Sequence, residues 1–154
     1  MTQNIPNPTK TRPSPGTRRF GYVVAVLVNA AMLLVVTNLL AWDILSFLTD
    51  DFERVIPIVT VLLGTSILVN LVYLFYDPRW FVSLSQIGVL GISMAATVRI
   101  YRVFPFDFSA YEFNWTTATR VVLILAMVGV GIGIVAELVK LGAVGRVPAR
   151  SRRR

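Results

Sequence analysis

Long apolar segments alternate with short polar segments along this chain. Four stretches contain no charged residue: Phe20–Trp42 (23 residues), Val55–Tyr76 (22), Phe81–Val98 (18) and Val121–Ala136 (16). A bilayer core about 30 Å thick is crossed by roughly 20 apolar residues. The first two stretches reach this length alone, and the last two reach it if the flanking charged side chains extend to the interface. The pattern predicts membrane spans at about residues 20–42, 55–76, 80–101 and 118–140.

These spans predict an all-α integral membrane protein, an antiparallel four-helix transmembrane bundle over residues 19–142. Its composition agrees, since 55% of residues are hydrophobic and only 15% are charged, against about a quarter charged in soluble domains. The proline-rich residues 1–18 and the arginine-rich residues 143–154 predict disordered basic tails. The first apolar stretch is too long for a signal-peptide core, so we expect it to be retained as a span.

Two residue types that carry much of protein chemistry are missing: the chain has no cysteine and no histidine. Without cysteine there is no disulfide, no palmitoylation and no thiolate metal site. Without histidine there is no imidazole metal ligand and no Ser–His pair. We therefore predict no catalytic residue, no metal and no cofactor, and we do not expect an enzyme.

Basic residues are distributed unevenly between the two sides of the predicted bundle. The tails and the middle loop hold 11 of the 15, whereas the other two loops hold four. The positive-inside rule therefore places both termini in the cytoplasm of a plasma-membrane protein. The arginine-rich C-terminal end favours contact with anionic lipid headgroups over nucleic-acid binding, because a topology signal already explains its charge.

Polar and small residues within the spans indicate how the helices associate. Buried amides cost free energy unless they are paired, so Asn29, Asn38, Asn70 and Gln86 predict interhelical hydrogen bonds. A polar permeation path is the alternative. Gly129 and Gly133 form a GxxxG packing surface, used either within the bundle or for a homodimer through the fourth span.

Charged residues at the span ends suggest two ion pairs. Asp43 and Arg99 lie at similar depth on the outer side, where partial desolvation favours pairing over separate snorkelling. Glu137 and Lys140, three residues apart near the inner end of the fourth span, form the second candidate pair. Asp77-Pro78 predicts an N-cap for the third helix, and Asp50 with Glu53 predicts a capping box for the second.

The segment FPFDFSAYEFNW between the third and fourth spans places a ring at every second position of each half. Its aromatic residues are Phe104, Phe106, Phe108, Tyr111, Phe113 and Trp115. Pro105 argues against a continuing helix, and aromatic rings are typical of the membrane–water interface. We expect an outer loop that lies in the headgroup layer, with docking of another membrane protein as the alternative role.

Four segments carry a resemblance: RRFGYVVAVLVNA, FLTDDF, LVYLFYDPRWF and RVFPFDF. Over about residues 18–142 the chain resembles small four-span membrane proteins of actinobacterial type, a group without assigned activity. The resemblance implies four spans, and it supplies no catalytic residue that could be carried over to this chain.

Three classes of function remain open. A non-catalytic accessory, scaffold or assembly subunit needs only the spans, the small-residue surfaces and the aromatic loop. An oligomeric small-solute or ion transporter or channel usually needs an ionisable group at depth, for which Glu137 is the only acid in a span. An intramembrane enzyme lacks an evident nucleophile and base. The first class is the prediction.

Overall fold

A computed structural model describes residues 13–42 and 45–144. Its helices are α1 (Pro15–Trp42), α2 (Ile56–Phe75), α3 (Arg79–Val103) and α4 (Trp115–Val144). All four are long and apolar enough to cross a membrane. At 1.5 Å per residue, α2 is about 30 Å long and α4 about 45 Å, so both match or exceed a bilayer core. The predicted all-α, antiparallel four-helix fold is confirmed.

The helices pack in the order in which they occur along the chain. α1 contacts α2, α2 contacts α3, and α3 contacts α4, whereas α1 and α4 make no comparable backbone contact over the described ranges. One side of α4 therefore faces α3, and its opposite side is exposed along the whole span, as at Leu125 (64%), Ile132 (66%) and Val139 (67%). In a bilayer, lipid chains cover this surface, because hydrocarbon solvates such side chains as well as protein does.

The two ends of the helical array differ in structure. At one end lie residues 45–55, which include a 3-10 helix at Asp50–Arg54, and the aromatic segment 104–115. We call these two segments together the aromatic platform, and this end of the molecule the platform end. The other end, the terminal end, contains the start of α1, the short α2–α3 link and the last turns of α4.

Few side chains are removed from the surface. Eight described residues are buried: Val36, Phe52, Val55, Leu63, Tyr73, Ser83, Ala96 and Pro105. Phe52 of the 3-10 helix packs with Val36 of α1 and Leu63 of α2 to form the hydrophobic core at the platform end. Only Phe52 and Pro105 of these eight lie between the predicted spans, so the cluster around Phe52 joins a connecting segment to the two adjoining helices.

Helix α1 begins at Pro15, inside the segment predicted to be disordered. Ser14 explains this start, since its hydroxyl accepts a hydrogen bond from the backbone N–H of Thr17 at 3.3 Å. Serine at the N-cap followed by proline at the first helical position is a strong start signal that outweighs the proline content of the tail.

The two predicted acidic caps are wrong. Helix α3 has Pro78 at its N-cap position with no side-chain hydrogen bond, and Asp77 instead pairs with Arg18. The N-cap of α2 is Val55, also without a side-chain bond, because Asp50 and Glu53 belong to the separate 3-10 helix. Pro57 lies in the first turn of α2, where proline is accommodated without a kink.

The core at the platform end predicts an asymmetry between two phenylalanines. Phe52→Ala should lower the free energy of unfolding by about 3 kcal/mol, because a ring that is 9% exposed leaves a cavity. Phe75→Ala is the matched control, since its ring is 89% exposed, and it should change stability by less than about 0.5 kcal/mol. Reversible unfolding in mixed detergent micelles measures both, and equal losses would contradict the assigned core.

Candidate functional site

The two segments of the aromatic platform are joined through their backbones. Leu48 and Phe106 form an antiparallel bridge. Thr49 N–H donates to the Pro105 carbonyl at 3.1 Å, and Asp107 N–H donates to the Phe47 carbonyl at 2.8 Å. Because these bonds satisfy backbone groups of both segments, they hold the α1–α2 connection against the α3–α4 connection.

Aromatic contacts extend this bridge. The ring of Phe47 stacks on Phe108 with a centroid distance of 5.4 Å, and it lies 6.4 Å from Phe106. Phe106 and Phe108 are themselves stacked at 6.0 Å. Offset ring pairs at such distances contribute about 0.5–1.5 kcal/mol each beyond area burial.

The six predicted aromatic residues divide into two groups. Phe104, Phe106 and Phe108 are half-buried against the platform. Tyr111, Phe113 and Trp115 are 47%, 62% and 47% exposed. The first group therefore builds the platform, and the second group is the part of it that can meet lipid or another protein.

Phe104 has an unusual backbone conformation that ends α3. Its φ of 44° and ψ of 64° lie in the left-handed region, which glycine or asparagine normally occupies after a helix. A bulky residue there costs of the order of 1 kcal/mol. The Arg120 guanidinium of α4 lies over the Phe104 ring at 4.8 Å and the Tyr101 ring at 5.7 Å. Cation–π attraction of about 0.5–2 kcal/mol offsets this cost and ties α4 to the end of α3.

An open apolar cleft of about 450 Å³ lies between the two segments. Its lining residues are Phe47, Phe106, Phe108, Tyr111, Trp115 and Thr119. A smaller apolar groove of about 190 Å³ shares Phe106, Trp115 and Thr119 with the cleft and continues along α4 to Val122 and Leu123. The two together form one apolar path from the platform to the face of α4.

A polar cleft of about 520 Å³ adjoins the apolar cleft. It shares Phe106, Phe108 and Tyr111 with the apolar cleft, and its charged lining residues are Asp107 and Glu112. The Ser109 backbone N–H donates to Asp107 Oδ1 at 2.9 Å. This bond, with a further contribution from the Ser109 hydroxyl, lowers the pKa of Asp107 from its ordinary value. Asp107 is therefore a carboxylate at neutral pH.

A second polar cluster lies at the terminal end. Arg18 Nε is 3.0 Å from Asp77 Oδ2, close enough for an ion pair although the N–H is not aligned for a hydrogen bond. Tyr22 donates its hydroxyl to the same oxygen at 3.4 Å. The Tyr22 ring packs on Tyr73 at 5.1 Å, and the Tyr73 hydroxyl reaches Ser85 of α3. These contacts connect α1, α2 and α3.

The predicted inner pair is present within α4. Lys140 Nζ lies 2.5 Å from Glu137 Oε1, and the Glu137 side chain is only 16% exposed. An acid with limited exposure therefore lies in the last turns of α4, at the terminal end.

Three of the four predicted amides bond within their own helices. Asn29, Asn38 and Asn70 each donate the side-chain amide to the carbonyl four residues earlier, at 2.7–2.8 Å. This satisfies one donor where no water competes, and the amide oxygen of each side chain can still accept. Gln86 is half-buried in α3. Interhelical hydrogen bonds through these residues stay a prediction.

The remaining predicted residues lie as follows. A Cβ added to Gly133 would be 3.4 Å from the Leu90 side chain of α3, whereas one added to Gly129 would meet open space. Asp43 lies outside the described residues, so the pair with Arg99 stays a prediction. Arg99 Nε donates to the Arg54 carbonyl at 3.4 Å.

Several residues of these sites were not singled out from the sequence. Phe47 precedes a segment rich in acidic residues, and nothing in the local sequence indicates its partner. Tyr22 and Tyr73 did carry a signal, because tyrosines near span ends normally place their hydroxyls among polar groups. Nothing in the sequence near Arg120 indicates its contacts with the rings of Tyr101 and Phe104.

The bridge predicts a specific cross-link. Leu48 and Phe106 form a non-hydrogen-bonded pair, for which the Cα–Cα distance is about 4.5 Å, within the range of disulfides. Leu48→Cys with Phe106→Cys should form an intramolecular disulfide on mild oxidation, detected by a gel shift that reductant reverses. The chain has no other cysteine, so each single variant controls for cross-links between chains. Leu48→Cys with Ser109→Cys tests the register and should react poorly; comparable yields would contradict it.

Comparison with known proteins found no matching family model, and no curated protein or solved structure matched the chain. The resemblance to small four-span membrane proteins therefore stays a prediction. The geometry alone supports a small multi-pass membrane protein that presents a structured aromatic platform at one end.

Proposed function

We propose that this protein is a non-catalytic accessory, scaffold or assembly subunit of the plasma membrane that binds a membrane-protein partner through its aromatic platform. Both termini lie in the cytoplasm, and the platform lies on the outer face. The basic tails contact anionic lipid headgroups, at about 1 kcal/mol per residue near the surface.

One observation carries this proposal: the platform is a built surface. Its two segments come from different helical hairpins, yet backbone bonds between residues 47–49 and 105–107 join them. Exposed rings then project from a fixed base at Tyr111, Phe113 and Trp115. Aromatic side chains on a pre-organised surface are typical anchors of interfaces, because little conformational entropy is lost when they bind.

The open arrangement of the helices offers a second surface for association. α4 packs on α3 alone among the helices with substantial backbone contacts, and Gly129 has open space around it. A homodimer through α4 is therefore an additional proposal. In this dimer Gly129 would allow the backbones of the two α4 helices to approach closely, and close packing is a main source of helix affinity in lipid.

An oligomeric transporter or channel is the second candidate, favoured by Glu137. The limited exposure of this acid and its pairing with Lys140 resemble a site at which ion binding would compete with an internal cation. In this case Glu137→Gln should abolish a change in ion or drug tolerance that overexpression of the wild-type chain produces.

The orientation predicts a labelling pattern. Ser151→Cys and Ile5→Cys should stay unmodified by an impermeant thiol reagent in intact cells, and Ser109→Cys on the platform should react. The cysteine-free background makes each label specific. Permeabilised cells provide the positive control for the tails. Modification of residue 5 or 151 in intact cells would contradict the orientation.

The partner hypothesis is tested by affinity purification in mild detergent followed by mass spectrometry. Phe113→Ala should reduce recovery of a specific membrane protein at least about tenfold, as expected for an interface anchor. Phe75→Ala is the control, since this exposed ring lies at the opposite end of the array and recovery should be unchanged.

Deletion of the gene should also alter the abundance of the same partner. Equal recovery of the partner with Phe113→Ala and Phe75→Ala would contradict the accessory role. If Glu137→Gln also abolished a tolerance phenotype, the transporter would be supported instead.

A further inference from the structure

We propose that the aromatic platform binds one amphiphile from the adjoining leaflet, with its hydrocarbon chain in the apolar cleft and the ammonium group of a zwitterionic headgroup in the polar cleft. This deepens the proposed function, since it uses the same platform, but it does not require a protein partner. A lipid with an ethanolamine headgroup has the required chemistry.

The hydrocarbon part of the ligand follows from the apolar path. The cleft of about 450 Å³ and the groove of about 190 Å³ share Phe106, Trp115 and Thr119. Together they lie within the range of about 300–1,000 Å³ that is usual for small-molecule sites. Aromatic walls and an almost wholly apolar lining favour a chain over a polar ligand.

The direction of the path identifies the source of that chain. The groove reaches Val122 and Leu123, which lie on a helix long and apolar enough to span the membrane. At this depth the abundant mobile molecules are lipids. A lipid could therefore enter sideways along α4 without leaving the bilayer.

The charge of the polar cleft selects the headgroup. Its charged lining residues are the acids Asp107 and Glu112. Arg120, whose guanidinium lies 4.8 Å from the centroid of the Phe104 ring, is not among the lining residues of this cleft. Acids combined with aromatic faces favour an ammonium group, through Coulomb attraction and cation–π contact. A headgroup with a net negative charge and no ammonium group would be disfavoured.

Both parts of the proposed ligand meet at shared rings. Phe106, Phe108 and Tyr111 line both the apolar cleft and the polar cleft. The junction between hydrocarbon and headgroup would therefore lie across these rings, at the level of the platform. This is the level at which lipid headgroups begin, because the predicted fourth span starts at about residue 118.

Native mass spectrometry of the purified full-length chain tests the proposal. The protein is held in neutral detergent with equimolar phosphatidylethanolamine and phosphatidylglycerol of identical acyl chains, and the lipids that remain bound are identified. Thr119→Phe, which fills the apolar cleft, should reduce retained phosphatidylethanolamine at least about tenfold. Thr117→Phe is the matched control, because Thr117 is exposed on the other face of α4 and lines neither cleft.

The headgroup is tested separately. Asp107→Asn with Glu112→Gln should lower the ratio of retained phosphatidylethanolamine to phosphatidylglycerol by about threefold to tenfold, as expected for two exposed charge contacts. Asp50→Asn with Glu53→Gln changes the net charge equally at the same end but outside the polar cleft, and should leave the ratio unchanged. All variants keep the basic tails, so any lipid bound there cancels in the comparison.

The possible outcomes each decide the question. Wild-type retention in both Thr119→Phe and Tyr111→Ala, which removes a cleft wall without changing a helix, would overturn the site. An unchanged lipid ratio in the Asp107/Glu112 variant would overturn the amine headgroup.

Loss of a dimer signal in place of lipid loss would identify a second copy of the chain as the occupant. If Thr119→Phe loses its helical circular dichroism, Tyr111→Ala decides alone. Because purified protein is used, these results are independent of partner recovery from cells.

Discussion

The contact between the two platform segments organises this molecule. Two backbone hydrogen bonds join residues 47–49 to residues 105–107, and the rings of Phe47 and Phe108 stack on each other. Through this contact the α1–α2 hairpin is fixed relative to the α3–α4 hairpin. It also creates the apolar cleft, since Phe47 forms one wall and the aromatic segment forms the other. Every functional feature proposed at this end depends on it.

The solvent explains why such contacts lie at the ends of the array. Within the bilayer, lipid solvates exposed leucine and valine, so helix association there gains little from burial. At the ends, water is the competing solvent and hydrophobic burial is effective, as at Phe52 and Val55. At the terminal end, polar contacts join the two hairpins, because the Tyr73 hydroxyl of α2 is hydrogen-bonded to the Ser85 hydroxyl of α3.

The open order of the helices connects structure with possible activity. α4 packs on α3, and its own Arg120 contacts the Phe104 ring at the platform. The opposite face of α4 is left to lipid. A groove along this helix can therefore receive a chain from the bilayer, and the same exposed face can receive a second helix. Neither would be available if α4 also packed against α1 in a closed bundle.

Much of the fold is determined by the sequence alone. Charge-free stretches of span length predict four helices, because the bilayer sets their length and requires internal hydrogen bonding. The end of α3 at Val103 agrees with Pro105, and the pair of Glu137 with Lys140 follows from helical spacing. Such features are local or are imposed by the solvent, so no knowledge of tertiary contacts is needed. The start of α1 was also encoded locally, by Ser14 and Pro15, but the proline-rich composition of the tail obscured it.

Other features were decided only by the tertiary structure. The alternating rings of residues 104–115 predicted an interfacial loop, but nothing in that segment indicates Phe47 as the partner of Phe106 and Phe108. That Asp77 pairs with Arg18 instead of capping α3 likewise depends on where α1 begins and how it packs. Such pairings join residues distant in the chain, and many arrangements satisfy the same local pattern. The sequence determined that the chain crosses the lipid four times, and long-range packing decided which side chains meet where it emerges.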